Sequence, residues 1–208
     1  AMGSGIGLAS GFGKLAQFGM EQPVLAVVGD STFFHAALPA LINAVHHQSD
    51  ITLVVLDNSG TAMTGFQSHP GLAVDATGNL APAIDVAKVC QAMGASVRTS
   101  DPFDPAKTQQ ILLDLFEMTG LKVLVLKQIC ALSPEKKAKK MYEVSVDETV
   151  CIGQACGCNQ LCTRIFKCPG LNWDKERLVS RIDEVICVGC GMCASICPAG
   201  AIRKKEVA

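Results

Sequence analysis

The chain has 208 residues, of which 49% are hydrophobic, so it is long enough to bury the core of one or two domains. Its 18 basic and 19 acidic residues give a net charge of −1, which provides no electrostatic case for binding nucleic acid or an anionic membrane. The apolar runs are only four to six residues long, whereas a membrane-spanning helix needs about 20 residues. No charged-then-apolar leader is present, and we expect a cytoplasmic protein.

Short aliphatic and β-branched runs alternate with helical patterns over the first 130 residues. The runs predict four strands, over residues 24–28, 51–56, 95–99 and 122–127. The helical patterns cover residues 33–47, 84–93 and 104–118. Fully apolar strands that alternate with helices indicate an α/β fold with a parallel sheet covered on both faces. Such sheets bind ligands at the carboxyl ends of their strands, so the loops after Val28 and Leu56 are candidate sites.

A charged segment follows the last predicted strand. Residues 133–146 contain Pro134 and four lysines, a composition typical of a solvated linker, with a partner-docking patch as the alternative. Beyond it, residues 147–208 are rich in Cys, Gly and Pro and have few apolar runs, so bound metal groups must hold this part together. We therefore predict one domain over residues 1–132, a linker, and a small α+β domain over residues 147–208.

Nine of the eleven cysteines lie in this last segment, in two groups. The second group reads Cys187-x2-Cys190-x2-Cys193-x3-Cys197-Pro198, the run that holds cubane iron–sulfur clusters in bacterial ferredoxins. Three of its thiolates hold one cube, and the fourth, which proline follows, reaches across to the other cluster. We expect a bacterial-ferredoxin-like domain with two [4Fe-4S] clusters. A disulfide framework is the alternative, and the regular spacing argues against it.

Polar residues directly follow the first two predicted strands. Gly29, Asp30 and Ser31 follow one strand and open a helix, and Asp57 and Asn58 follow the next strand. This pattern resembles the diphosphate-binding signature of thiamine diphosphate enzymes, which is Gly-Asp-Gly, a spacer of similar length, and Asn. Ser31 stands where that signature has its second glycine. An ordinary strand-to-helix turn with Asp as its cap is the alternative.

The chemistry of a diphosphate site agrees with these residue types. A divalent ion that bridges two phosphates requires hard oxygen ligands in an octahedron. The Asp30 carboxylate, the Asn58 amide oxygen and the Gly60 backbone carbonyl would supply the protein ligands of Mg²⁺. A helix that starts near Ser31 would direct its free N–H groups at the diphosphate.

Residues 29–35 and 57–67 closely resemble the large (alpha) subunit of indolepyruvate ferredoxin oxidoreductase. That family also ends in a tandem cubane-cluster domain, and the resemblance covers nearly the whole chain. It implies a thiamine diphosphate-dependent 2-oxoacid:ferredoxin oxidoreductase, which decarboxylates its substrate, transfers the acyl group to coenzyme A and passes electrons through the clusters to ferredoxin. We expect an aryl pyruvate as the substrate. The alternatives are phenylglyoxylate, an aliphatic 2-oxoacid, or an electron-transfer module without its own catalysis.

The resemblance also implies roles for individual residues and for missing parts. The cofactor-binding residues would be Gly29, Asp30, Ser31, Thr32, Asn58, Gly60, Thr61, Met63 and Thr64. Near the reacting carbon or the substrate we expect His35, Gln67 and His69. Because the chain matches only the C-terminal part of the subunit, other domains or subunits would supply the pyrimidine-binding and gamma domains.

The first cysteine group departs from the usual pattern of the family, which is Cys-x2-Cys-x2-Cys followed five residues later by Cys-Pro. Cys162 keeps the five-residue gap to Cys168 and Cys151 opens the group, while spacing does not choose between Cys156 and Cys158. The expected ligand sets are therefore Cys151, Cys156 or Cys158, Cys162 and Cys197 for the first cluster, and Cys168, Cys187, Cys190 and Cys193 for the second. A zinc site in place of the first cluster is the alternative.

Overall fold

The computed structural model describes residues 2–133 and 140–207 of the chain. The chain divides into two compact units, Ala1–Cys130 and Ala131–Ala208. Each unit has its own cluster of buried hydrophobic side chains. Among the described residues, none of the helices is both long and apolar enough to cross a membrane.

The first unit is built on a four-stranded sheet. Its strands are β1 (Leu25–Gly29), β2 (Ile51–Asp57), β3 (Ser96–Ser100) and β4 (Leu121–Lys127). They lie in the order β1-β2-β4-β3, and every neighbouring pair is parallel. The two central strands, β2 and β4, are buried along their first five residues. The predicted parallel α/β sheet is confirmed, and its strand ends differ from the prediction by no more than one residue.

Helices pack on this sheet and connect its strands. They are α1 (Ser4–Phe12), α2 (Asp30–Thr32), α3 (Leu38–His46), α4 (Val86–Ala92) and α5 (Pro105–Phe116). A π-helical turn, Phe33–Ala37, joins α2 to α3, so the chain is helical from Asp30 to His46. Sequence patterns did not predict α1, because three glycines in nine residues disfavour a helix. It forms because Ile6 and Ala9 are buried in the core.

The two faces of the sheet have separate cores. Val55 and Val123 pack with buried residues of α1, α3 and α4 on one face. Val54 and Leu124, the alternate side chains of the same strands, pack with Leu115 of α5 on the other face. Each fully buried aliphatic side chain stabilises the fold by about 1.5–3 kcal/mol. This packing fixes the sheet rigidly, so that the carboxyl ends of β1 and β2 lie side by side.

In its described residues, the second unit combines short strands with a short α-helix and two helical turns, Gly153–Cys156 and Leu161–Ile165. The strands and the α-helix are β5 (Tyr142–Val146), β6 (Leu171–Asp174), β7 (Val179–Ile182), α6 (Met192–Ile196) and β8 (Ile202–Glu206). Antiparallel pairs form between β5 and β8 and between β6 and β7. Among the described residues of this unit, the buried cluster contains Leu171 and Ile202 together with Cys162 and Cys193.

Strand β5 lies inside the segment that we predicted as a linker, residues 133–146. Tyr142, Val144 and Val146 alternate with exposed polar residues, and the strand is paired along its whole length with β8. The preceding lysines concealed this alternation in the sequence. Regular structure of the second unit therefore begins before residue 147. Residues 134–139, which include three of the four lysines, lie outside the described residues.

Candidate cofactor sites

Asp30 lies directly after β1, at the first position of the helical segment, and is only 2% exposed. Its Oδ1 accepts a hydrogen bond from the backbone N–H of Ser31 at 2.7 Å. Its Oδ2 accepts from the backbone N–H groups of Asn58 at 3.1 Å and Gly60 at 3.3 Å. Three backbone donors therefore fix the carboxylate between the carboxyl ends of two neighbouring parallel strands.

Asn58 has a buried polar atom that is left without a partner. Its amide oxygen, Oδ1, accepts no hydrogen bond from the described residues. An unpaired buried acceptor costs about 1–3 kcal/mol, and native structures retain one mainly where an ion, water or ligand completes it. Carboxylate and amide oxygens are ligands that Mg²⁺ accepts. Asp30 and Asn58 thus fit a magnesium–diphosphate site.

The loop after Asn58 is closed on itself by hydrogen bonds. Gly60 is buried, and its carbonyl accepts from the backbone N–H of Ala62 at 2.8 Å, which leaves its second lone pair free. The backbone N–H of Thr61 donates to the carbonyl of Gln67 at 3.2 Å. At the tip of the loop, the side chain of Met63 is fully exposed.

Space for a cofactor lies beside the end of β1. A side chain at Gly29 would meet no protein atom within 4 Å. Ser31 and Thr32 form the first helical turn and are half-buried. The start of the helical segment is therefore open on the Gly29 side, and helix starts of this kind favour anionic groups.

His69 is the predicted substrate-side residue that the structure brings to Asp30. The residue is 5% exposed, and its ring stacks on Phe34, with 5.7 Å between the ring centroids and 25° between the planes. Nδ1 accepts from the backbone N–H of Gly71 at 3.1 Å, so Nε2 carries the proton of the neutral ring. Nε2 lies 3.2 Å from Asp30 Oδ2 but is not aligned for a hydrogen bond. His69 therefore contacts the carboxylate directly.

The other two predicted substrate-side residues are placed differently. His35 is exposed, its Nδ1 donates to the carbonyl of Ser31 at 2.7 Å, and it lines one cavity together with His69. Gln67 hydrogen-bonds within its own loop, where it accepts from Thr64 Oγ1 at 2.6 Å and donates to the Thr64 carbonyl at 2.7 Å. The structure thus brings His35 and His69 to one cavity and turns Gln67 towards Thr64.

Sequence reasoning missed a charged pair beside this site. Asp57 Oδ2 lies 3.7 Å from Lys127 Nζ, at the ends of the neighbouring strands β2 and β4. Burial raises the pKa of Asp57, Lys127 partly opposes this effect, and the nearby Asp30 carboxylate adds to the rise. Asp57, Lys127, Phe34 and His69 line a common cavity. The sequence did contain a signal for this ion pair, because an acidic and a basic residue stand at the same ends of two predicted strands.

In the second unit, five thiols open onto one cavity. This first group consists of Cys151, Cys156, Cys158, Cys162 and Cys197. Cys197 stands in the second cysteine motif of the sequence. In the structure it lines the cavity of the first motif, which is the crossing that the sequence pattern predicts. The side chains of Cys156 and Cys158 also contact each other, and a contact with Cys158 raises the pKa of Cys156. Both face the cavity, so the structure leaves the choice between them open.

The remaining four thiols of the second unit form a second group in the structure, which consists of Cys168, Cys187, Cys190 and Cys193. Burial, with smaller contributions from the neighbouring Cys190, Cys168 and Cys187 thiols, raises the pKa of Cys193 to about 12. Burial likewise raises the pKa of Cys168, again with contributions from Cys190 and Cys187. These four side chains are therefore close enough to interact. Iron binding would have to displace their protons, as thiolate coordination does in general.

The cysteine groups do not have the geometry of a site for a single ion. Across residues 2–133 and 140–207, no three His, Cys, Asp or Glu side chains meet at the spacing that one metal ion requires. A zinc ion needs its thiolates about 2.3 Å from it, whereas a cubane separates its four thiolates more widely.

Comparisons with known protein families match both units. The family described as "Thiamine pyrophosphate enzyme, C-terminal TPP binding domain" matches residues 1–126. The family described as "4Fe-4S binding domain" matches residues 181–203, which contain all four cysteines from Cys187 to Cys197.

Among curated proteins, the chain is similar to those named "Indolepyruvate oxidoreductase subunit IorA". It is 37% identical to that of Pyrococcus horikoshii over 98% of the chain, and 39% identical to that of Methanothermobacter thermautotrophicus over 99% of the chain. It spans 33% and 31% of the lengths of these relatives, about a third. The resemblance inferred from the sequence is confirmed.

A solved structure supports the fold. The match to the 2-oxoglutarate:ferredoxin oxidoreductase from Magnetococcus marinus covers 62% of the present chain and 46% of the chain in that structure, with a TM-score of 0.50. The sequence identity is 18%, so this match shows the shared fold alone.

Proposed function

The chain belongs to the family of thiamine pyrophosphate enzymes, through their C-terminal TPP-binding domain, and on that premise we propose that it is part of a 2-oxoacid:ferredoxin oxidoreductase. The observation that carries the proposal is that two buried acceptors occur at the carboxyl edge of the sheet. They are the Asp30 carboxylate and Asn58 Oδ1, which has no hydrogen-bond partner among the described residues. The 4Fe-4S family match supports an electron-transfer role for the second unit.

In this proposal the first unit binds thiamine diphosphate and Mg²⁺. The Asp30 carboxylate, Asn58 Oδ1 and the Gly60 carbonyl would hold the ion, and the helical segment that starts at Asp30 would face the diphosphate with its positive end. When bound, thiamine diphosphate supplies the nucleophile and electron sink that decarboxylate a 2-oxoacid.

The loop that contains His69 covers this site from one side. His69 is packed between Phe34 and Asp30, so it shields the carboxylate from water and restricts its orientation. His35, in the same cavity, has its Nδ1 occupied by the Ser31 carbonyl, which leaves Nε2 as the free ring nitrogen. We propose that His35 faces the substrate and that His69 orients the metal ligand.

The second unit would hold two [4Fe-4S] clusters, one in each group of cysteines, and pass single electrons to ferredoxin. Coenzyme A would take the acyl group. Because the chain spans about a third of its relatives, we propose that other domains or subunits provide the pyrimidine-binding and gamma domains. Thiolate ligands persist in a reducing compartment, which is the basis for proposing the cytoplasm.

The relatives named for indolepyruvate favour an aryl pyruvate as the substrate. The test is a panel of indolepyruvate, phenylpyruvate, phenylglyoxylate, pyruvate and 2-oxoglutarate, given with coenzyme A and a low-potential viologen dye to the intact complex that contains this chain. We expect the highest kcat/KM for the aryl pyruvates. A preference for phenylglyoxylate or an aliphatic acid would overturn the substrate assignment. Dye reduction by none of the acids, with clusters that dithionite still reduces, would indicate an electron-transfer module.

A further inference from the structure

A buried serine faces the first group of cysteines. Ser180 lies on β7 and is 2% exposed. Its Oγ is 2.9 Å from the Sγ of Cys162, which is itself only 9% exposed. Both side chains line the cavity that Cys151 and Cys197 also line. Ser180 is not a residue that its sequence context singles out, since it stands in a short strand outside both cysteine motifs, seven residues before Cys187.

We propose that Ser180 raises the reduction potential of the first cluster by donating a hydrogen bond to the Cys162 thiolate. The inference rests on the proposed function, in which Cys162 is a cluster ligand. A hydroxyl can donate or accept, whereas an iron-bound thiolate has no proton to donate. Binding of the cluster therefore fixes Ser180 as the donor in this pair.

The direction of the effect follows from charge. Reduction adds an electron to the cluster and increases the negative charge on its sulfur ligands, so a donor to one of those ligands stabilises the reduced state more than the oxidised state. Hydrogen bonds to ligand sulfurs are among the factors that set iron–sulfur potentials. Because Ser180 and Cys162 are both buried, water does not screen or replace this hydrogen bond.

The surrounding strands hold the serine in place. Ser180 is opposite Trp173 in the antiparallel β6–β7 pair, and Trp173 lines the same cavity. Among the described residues, Cys162 is the one hydrogen-bond partner of the Ser180 hydroxyl. A serine that merely filled space would be replaceable by alanine without any change in potential.

The test is a redox titration of the anaerobically purified full chain, followed by electron paramagnetic resonance. Ser180→Ala should lower the midpoint potential of one cluster by an amount equivalent to about tenfold in its reduction equilibrium constant, 59 mV for one electron. The iron content and the potential of the other cluster should not change. Ser195→Ala is the matched control, because Ser195 is an exposed serine on α6 between two cysteines, and it should shift neither potential.

Unchanged potentials in a Ser180→Ala chain that keeps all its iron would overturn the proposal. If Ser180→Ala lost the first cluster, Ser180→Thr, which retains a hydroxyl, would decide the matter. A Thr variant with the wild-type potential supports the hydrogen bond, and a Thr variant with the lowered potential contradicts it. A wild-type chain with only one cluster would instead overturn the two-cluster proposal. The iron content of the wild-type chain therefore distinguishes that failure from a failure of the hydrogen-bond proposal, in which both clusters are present.

Discussion

The carboxylate of Asp30 combines a structural and a proposed ligand role in one buried side chain. It accepts hydrogen bonds from three backbone N–H groups and contacts His69, and it is the one carboxylate in the proposed ligand set of Mg²⁺. The negative charge that satisfies the backbone donors before the cofactor arrives is the same charge that would attract the ion. This residue is therefore the sharpest place to test the thiamine site.

Asp30→Asn should weaken Mg²⁺-dependent binding of thiamine diphosphate by about 100-fold or more, because the charged ligand opposite the anionic diphosphate is lost. Asn58→Ala should behave alike but more mildly, by about tenfold, because it removes a neutral ligand. Isothermal titration calorimetry on the full chain measures both affinities. Thermal unfolding of the cofactor-free variants separates a loss of binding from a loss of folding.

Asp57→Asn is the matched control for this pair. Asp57 is also a partly buried aspartate at a strand end, but it pairs with Lys127 and is outside the proposed ligand set. Its replacement should change the affinity by no more than about threefold, within the range of indirect effects at a nearby charge. Full affinity in Asp30→Asn would show that the thiamine interpretation of this loop is wrong. The paramagnetic signals of the clusters should be the same in all three variants.

Cys90 illustrates the opposite kind of residue, a cysteine whose burial makes it inert. It is 0% exposed in α4, and burial, with a smaller contribution from Asp85, raises the pKa of its thiol to about 12. Since the thiolate is the reactive form, Cys90 should resist iodoacetamide at pH 8 in the folded chain, while the half-buried Cys130 reacts first. Mass spectrometry of the labelled peptides measures both sites. Labelling of Cys90 before Cys130 would contradict this assignment.

Secondary-structure elements differ in how well their sequences predict them. The strands of the parallel sheet were predictable because strands covered on both faces consist of continuous aliphatic runs. Helix α1 was not predictable from its sequence, because its glycines disfavour a helix and the burial of Ile6 and Ala9 stabilises it. Strand β5 was not, because a charged segment precedes it and its alternation spans only five residues.

The same distinction applies to the candidate site. Asp30 and Asn58 were predictable as neighbours because each follows a strand, and neighbouring parallel strands end at the same edge. The contact of His69 with Asp30 was not, because the loop that carries His69 has no periodicity that fixes its path. The contact between Ser180 and Cys162 depends on where β7 packs against the cysteine loop, which spacing alone does not encode.

One glycine in that cysteine loop is required by the packing of the element. Gly153 has a φ of 60°, and a Cβ at this position would lie 2.2 Å from the carbonyl oxygen of Leu178. Gly153→Ala should therefore push the loop away from the β6–β7 turn, destabilise the second unit by about 2–4 kcal/mol and lower the content of the first cluster. Iron per chain and the melting temperature measure these effects.

Gly157→Ala provides the control in the same loop. Gly157 also has a positive φ, 71°, but a Cβ there would meet no atom within 4 Å. It should cost only the backbone strain, about 1–2 kcal/mol, and leave the iron content unchanged. Equal losses of iron in the two variants would indicate that backbone conformation, rather than the contact with Leu178, limits this position.

At the scale of the whole molecule, the two units depend on different forces. The first unit has two separate cores on the faces of its sheet. The second has a buried cluster in which cysteines contribute as many members as aliphatic residues. A unit of this size with so small a core rarely folds on hydrophobic burial alone, so cluster binding is expected to supply much of its folding free energy.

This difference predicts how the chain responds when one cluster is removed. Chain purified without oxygen should contain about eight irons and eight acid-labile sulfides, in two cubanes. Cys190→Ala should remove the second cluster and largely unfold the second unit, which circular dichroism and limited proteolysis would detect. The affinity of the first unit for Mg²⁺ and thiamine diphosphate should persist, because its fold does not depend on iron. About four irons in the wild-type chain, with zinc in the other group, would refute the two-cluster assignment and favour a zinc site at the first group of cysteines.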